Sequence, residues 1–131
     1  MKKLMCVALS LCWFSSMAFA AGTVVCSSPS SSGNGSAQVE AGSDKFVKMA
    51  FTPKCSANVH MAYEQDAVNF AAAAGSSRGK NVYGGHTGGG GVSATGTICQ
   101  NGCLASHASE ATAALLSAAI SGTSAVATTS P

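Results

Sequence analysis

Asn58-Val59-His60-Met61-Ala62-Tyr63 carries the pattern that decides the fold. Val59, Met61 and Tyr63 alternate with smaller or polar residues, the period of two expected of a strand that turns one face inward. Glu64-Gln65-Asp66 then reads as a polar turn, and Val68 with Phe70 begins another strand. Upstream, the stretch 45–52 places Val47, Met49 and Phe51 on one strand face before Pro53-Lys54 interrupts it. Downstream, Asn81-Val82-Tyr83 and the stretch 91–98 supply two shorter or less regular runs. Short alternating runs separated by Gly, Pro and polar turns predict an antiparallel meander of about five strands.

The pattern changes after Cys103. From Leu104 to Ser121 the chain is rich in alanine and free of Pro and Gly, with Leu115, Leu116 and Ile120 at helical spacing. Ser106 is placed to cap the start, Glu110 suits the first turn, and Gly122 suits the residue after the end. The expected fold is therefore α+β: a small antiparallel β-sheet with one C-terminal α-helix, braced by disulfides.

The chain opens Met1-Lys2-Lys3, continues with an apolar run through Trp13 and Phe14, and reaches Ala18-Phe19-Ala20. Positive start, short apolar core and small-residue exit are the three parts of a cleavable secretory signal, with cleavage expected after Ala20. The apolar run is shorter than the roughly 20 residues needed to span a bilayer. A lipid-attachment motif requires a small residue directly before its cysteine, whereas Leu11 precedes Cys12 and Val25 precedes Cys26. The expected divisions are a signal over 1–20, an N-terminal strand and Ser/Gly-rich linker over 21–36, a β-rich domain over 37–103, a helix over 104–122 and a flexible tail over 123–131.

Removing the signal also removes Lys2, Lys3 and the single Trp. Five bases (Lys45, Lys48, Lys54, Arg78, Lys80) then balance five acids (Glu40, Asp44, Glu64, Asp66, Glu110). A formally neutral mature chain gives no electrostatic basis for nucleic-acid binding. Four cysteines remain: Cys26, Cys55, Cys99 and Cys103. An even number in a small exported chain reads as a disulfide framework, which compensates for a core made largely of alanine. Three pairings are open to four cysteines. The preferred one joins Cys26 to Cys55 and Cys99 to Cys103, because Gln100-Asn101-Gly102 carries an Asn-Gly turn signal.

Motifs for chemistry are sparse. The glycine-rich run from Gly84 to Gly91 reads first as a hairpin connection. Its functional reading is a loop whose backbone approaches a ligand, with Tyr83 and His86 as side-chain contacts. The stretch 75–81 fails as a phosphate-binding loop: its glycines stand too close, and Asn81 replaces the required hydroxyl residue. His60, His86 and His107 lack ligand spacing, and Cys99-x3-Cys103 is neither a zinc hook nor a redox Cys-x-x-Cys, so no metal or cofactor is expected. No Gly-x-Ser-x-Gly elbow occurs. The uncharged stretch 111–131 contains too many Ser and Thr residues for a stable transmembrane segment.

The expectation is a small exported module, periplasmic, surface-bound or secreted. It binds an unidentified protein or surface partner through a disulfide-stabilised domain, with self-association through edge strands also open. The absence of a recognisable catalytic set disfavours an enzyme. Two other classes stand beside it: a membrane-active peptide or toxin built on the Ala/Gly-rich C-terminal half, and a small secreted hydrolase using His60 or His86.

Overall fold

The alternation that opens at Val59 persists to Gln65, two residues into the expected polar turn, because the strand that follows pairs with this segment along its whole length, with Phe70 opposite Gln65. In the computed structural model, which describes residues 21–27 and 37–122, this strand is β2 (Val59–Gln65). It lies beside β1 (Thr23–Cys26) and β3 (Phe70–Ser76), followed by β4 (Asn81–His86) and β5 (Ser93–Ile98). All neighbours are antiparallel and the spatial order is β1-β2-β3-β4-β5. The helix α1 (Ala105–Ser121) packs on one face. The α+β, disulfide-braced architecture is thus as expected. The signal expected over 1–20, most of the expected linker and the tail expected over 123–131 lie outside the described residues.

Three local expectations are corrected. The stretch 45–52 is not a strand. Gly42 N–H donates to the Val47 carbonyl at 3.2 Å, closing a turn, and only Val39 and Phe51 exchange backbone bonds, at 2.8 and 3.4 Å. Alternation without a partner strand leaves backbone groups unpaired, so Met49 stays 83% exposed. The glycine-rich run is not all loop: Gly84, Gly85 and His86 belong to β4. Finally, Leu104 rather than Ser106 occupies the helix N-cap, where its N–H donates to His107 Nδ1 at 2.9 Å. Gly122 closes the helix as expected, in the left-handed conformation at φ 64°.

Small residues set how closely the layers meet. On the helix-facing side, Ala71, Ala73 and Val82 join Cys99, Cys103, Ala111, Leu115 and Leu116 in the main core. A Cβ on Gly84 would collide with Leu115 Cδ1, and one on Gly75 would lie 2.7 Å from Cys103 Cβ. Glycine lets α1 approach the sheet at Gly84 and lets the Cys103 segment that leads into the helix approach it at Gly75. Ile120, expected in the apolar stripe, points outward instead and is 64% exposed. Thr112 stitches the layers: its buried hydroxyl is 2.7 Å from the Ala108 carbonyl and 3.2 Å from that of Ala62. Ser109 Oγ donates to the Gly22 carbonyl at 2.7 Å, anchoring the residues just before β1.

Both preferred disulfides are present. Cys26–Cys55 spans 6.2 Å between Cα atoms and joins β1 to the segment before β2. Cys99–Cys103 spans 5.0 Å and joins the end of β5 to the approach to α1.

Candidate functional site

The second face of the sheet is only half covered. Residues 37–51 fold over β1 and β2, where Val39, Val25, Cys26 and Tyr63 form a second buried cluster. Tyr63 Oη accepts from Glu40 N–H at 3.1 Å, and Gln65 is held at both ends of its amide, to the Glu40 carbonyl at 2.8 Å and Val47 N–H at 3.0 Å. These bonds pin the cover over β2. It ends at Phe70, whose ring stacks on Tyr63 (centroids 5.7 Å apart) and tilts against Phe46 (6.2 Å).

Beyond Phe70 the face is open. Register places Tyr63, Ala72 and Gly85 in one cross-strand row, and Met61, Ala74, Tyr83 and Ala94 in the next. The first row offers only a methyl group and a hydrogen on β3 and β4. Phe70 stands on one side of it and Tyr83 on the other, four residues or roughly 13 Å apart along the strands. The result is a hollow of about 440 Å³ with Ala72 and Gly85 as floor, Phe70, Met61 and Tyr83 as walls, and Val92 at the rim. No Asp, Glu, Lys or Arg lines it, and His86 is the one titratable residue besides Tyr83 on its border. A volume in this range matches small-ligand sites. The Phe70 wall is held by ring stacking before any ligand arrives, and Tyr83 is half exposed.

Tyr83 and His86, singled out together from the sequence, are separated by the pleat. Three residues apart on β4, they project to opposite faces, Tyr83 to the open side and His86 towards α1. His86 Nδ1 accepts from Gly88 N–H at 3.1 Å, which leaves the ring proton on Nε2, an atom that is buried without a partner. Glu64 lies in the same cross-strand row, on the other side of Ala71, and its Oε2 is likewise buried and unpartnered. Burial pushes the Glu64 carboxyl above the usual carboxylate range. His60 lies on this same face, four residues from Glu64 along β2, and is lowered by burial and by His107. These two histidines are thus at opposite ends of the sheet; His60 does not line the hollow beside Phe70, whereas His86 borders it. Among the described residues, no group of three or more His, Cys, Asp or Glu side chains is placed to hold a metal ion.

Sequence reasoning found Tyr83 and missed Phe70, Met61, Ala72, Gly85 and Val92 as a constellation. The available signal was the run Phe70-Ala71-Ala72-Ala73-Ala74, since a strand made of alanine gives its outward face little to cover itself with.

Comparison with protein families, with characterised proteins and with solved structures finds no match.

Proposed function

We propose that this chain is a small exported interaction module that binds a partner protein through the open face of β3 and β4. The observation that carries the reading is the half-covered sheet. One face is packed against α1 and the other is closed by residues 37–51 as far as Phe70, and an uncharged apolar hollow is left beyond it. Uncovered apolar surface costs stability in a monomer and is retained where something else covers it. Export is supported by the signal pattern over 1–20 and by two disulfides, which belong to oxidising compartments. Among the described residues no helix is long and apolar enough to cross a membrane.

The test is site-specific photo-crosslinking in the producing cell. A benzophenone amino acid replaces Tyr83 on the open face or, as the control, Ala114 on the exposed side of α1. A discrete protein adduct from position 83 that is absent from position 114 supports the reading. Equal adducts from both positions, or none from either, overturn it.

A further inference from the structure

The hollow does not end at Tyr83. On the far side of that ring a second hollow of about 490 Å³ continues along the same face to the β3–β4 hairpin, where Lys80 lines it. The hairpin, Ser77-Arg78-Gly79-Lys80, holds two of the five bases of the chain after residue 20, both exposed. Among the described residues neither base has an acidic partner, and no acid lines either hollow. Tyr83 is therefore a ridge between an uncharged aromatic-walled slot and a basic recess.

We infer that the occupant of this face is an extended segment of a partner protein carrying an aromatic side chain and, four residues away, an acidic one. The inference rests on the open-face reading above and gives it a partner chemistry. Each half has its own physical reason. The slot over Ala72 and Gly85 is one residue row wide and floored by a methyl group and a bare backbone. Such a slot takes a flat ring, which stacks or packs edge-on against Phe70 and Tyr83. A charged group there would lose its hydration without compensation. The recess has the opposite preference, since Lys80 lines it and attracts a carboxylate, with Arg78 adding positive charge from the same hairpin. Gly85 and Asn81 are four residues apart on β4, roughly 13 Å, which is also the span between side chains i and i+4 on one side of an extended peptide. Ring and carboxylate on one such peptide therefore reach both hollows across the Tyr83 ridge.

Titration of the ¹⁵N-labelled, disulfide-intact protein with the blocked peptide WGSGD tests this, with AGSGD and WGSGK as controls. WGSGD should shift the amides of Ala72, Gly85 and Lys80. Loss of the ring should weaken binding about tenfold, the scale of one buried aromatic anchor. Reversal of the acid should weaken it severalfold, by an amount that shrinks with added salt. Gly85→Val fills the slot and should abolish binding; a Cβ there meets only ordinary contacts at 3.5 Å, and an unperturbed amide spectrum away from this face checks that the fold is retained. Lys80→Glu, at an exposed position, should reverse the preference in favour of WGSGK. Equal responses to all three peptides, shifts that avoid this face, or indifference to both substitutions overturn the inference. If any of these occurs while photo-adducts still form at position 83, the binding face stands and its assigned chemistry falls.

Discussion

Adjacent glycines in β4 should respond oppositely to the same substitution. Gly84 faces α1, where a Cβ would collide with Leu115 Cδ1 and sit 2.7 Å from the Ala72 carbonyl oxygen and 3.0 Å from Ala73 Cβ. The leucine tip can move; the carbonyl belongs to the sheet ladder and cannot. Overpacking of this type costs about 1–3 kcal/mol, and the rigid carbonyl puts Gly84→Ala at the upper end. Setting against it the 0.4–1 kcal/mol gained by removing a glycine from the unfolded chain leaves a loss of about 2 kcal/mol. For a domain of about 100 residues that lowers Tm by roughly 8–16 °C. Gly85 faces the open side, where the nearest atoms to an added Cβ are Gly91 O and Val92 Cγ2, both at 3.5 Å. Gly85→Ala should therefore keep the unfolded-chain benefit and raise Tm by roughly 2–8 °C. Scanning calorimetry of the oxidised proteins reads both. A Gly84→Ala protein that melts within about 2 °C of the parent, or a pair of shifts with the same sign, would refute the assignment of faces on which the proposed binding site depends.

Other expectations follow from the two layers and their bridges. The loop closed by Cys26–Cys55 spans 29 residues and that closed by Cys99–Cys103 spans 4, so chain entropy assigns them about 3.6 and about 2 kcal/mol. Urea unfolding of Cys26→Ser/Cys55→Ser should show the larger deficit, unless the fully buried Cys99 and Cys103 add a packing loss that can be measured separately by reducing the intact bridge. Thr112→Val removes the hydroxyl shared between Ala108 and Ala62 and should cost about 1 kcal/mol in the same assay. The Glu64 carboxyl is raised by burial, so the folded state binds its proton more tightly than the unfolded chain does. Stability should then fall as pH rises from the ordinary carboxylate value through the folded one, and Glu64→Gln should flatten that part of the pH–stability curve. His60 works in the other direction. Its folded value is lowered, so stability is complete above the ordinary imidazole value and declines as pH falls below it, a slope that His60→Gln should remove.

The parts of the molecule that were legible in the sequence are those fixed by local rules. Val59, Met61 and Tyr63 announce a strand, Leu115 and Leu116 announce a helix, Gly122 ends it, and Asn101-Gly102 lets Cys99 meet Cys103. What was illegible depends on partners distant in sequence. The stretch 45–52 has the alternation of a strand but finds only Val39 opposite Phe51, and folds instead into the cover over β2. The slot has no motif because its floor is made of absences, a methyl at Ala72 and nothing at Gly85. Such positions acquire meaning only when register brings them side by side. Lys80 was legible as a base in a glycine-bearing turn, but its nearness to an aromatic ridge follows from the hairpin.

The strand order has a consequence for how the chain reaches this structure. From β2 onward every strand pairs with the next one in sequence, so this part of the sheet assembles through short excursions of the chain. β1 is the exception: it pairs with β2 across the long intervening stretch that holds residues 37–58. Closing that stretch is a large entropic step in forming the sheet, and the Cys26–Cys55 link lies across it. Rapid collapse of residues 59–122 followed by slower, oxidant-dependent capture of β1 is the expected order of events. Hydrogen exchange at β1 amides should then lag behind the rest of the sheet in acquiring protection.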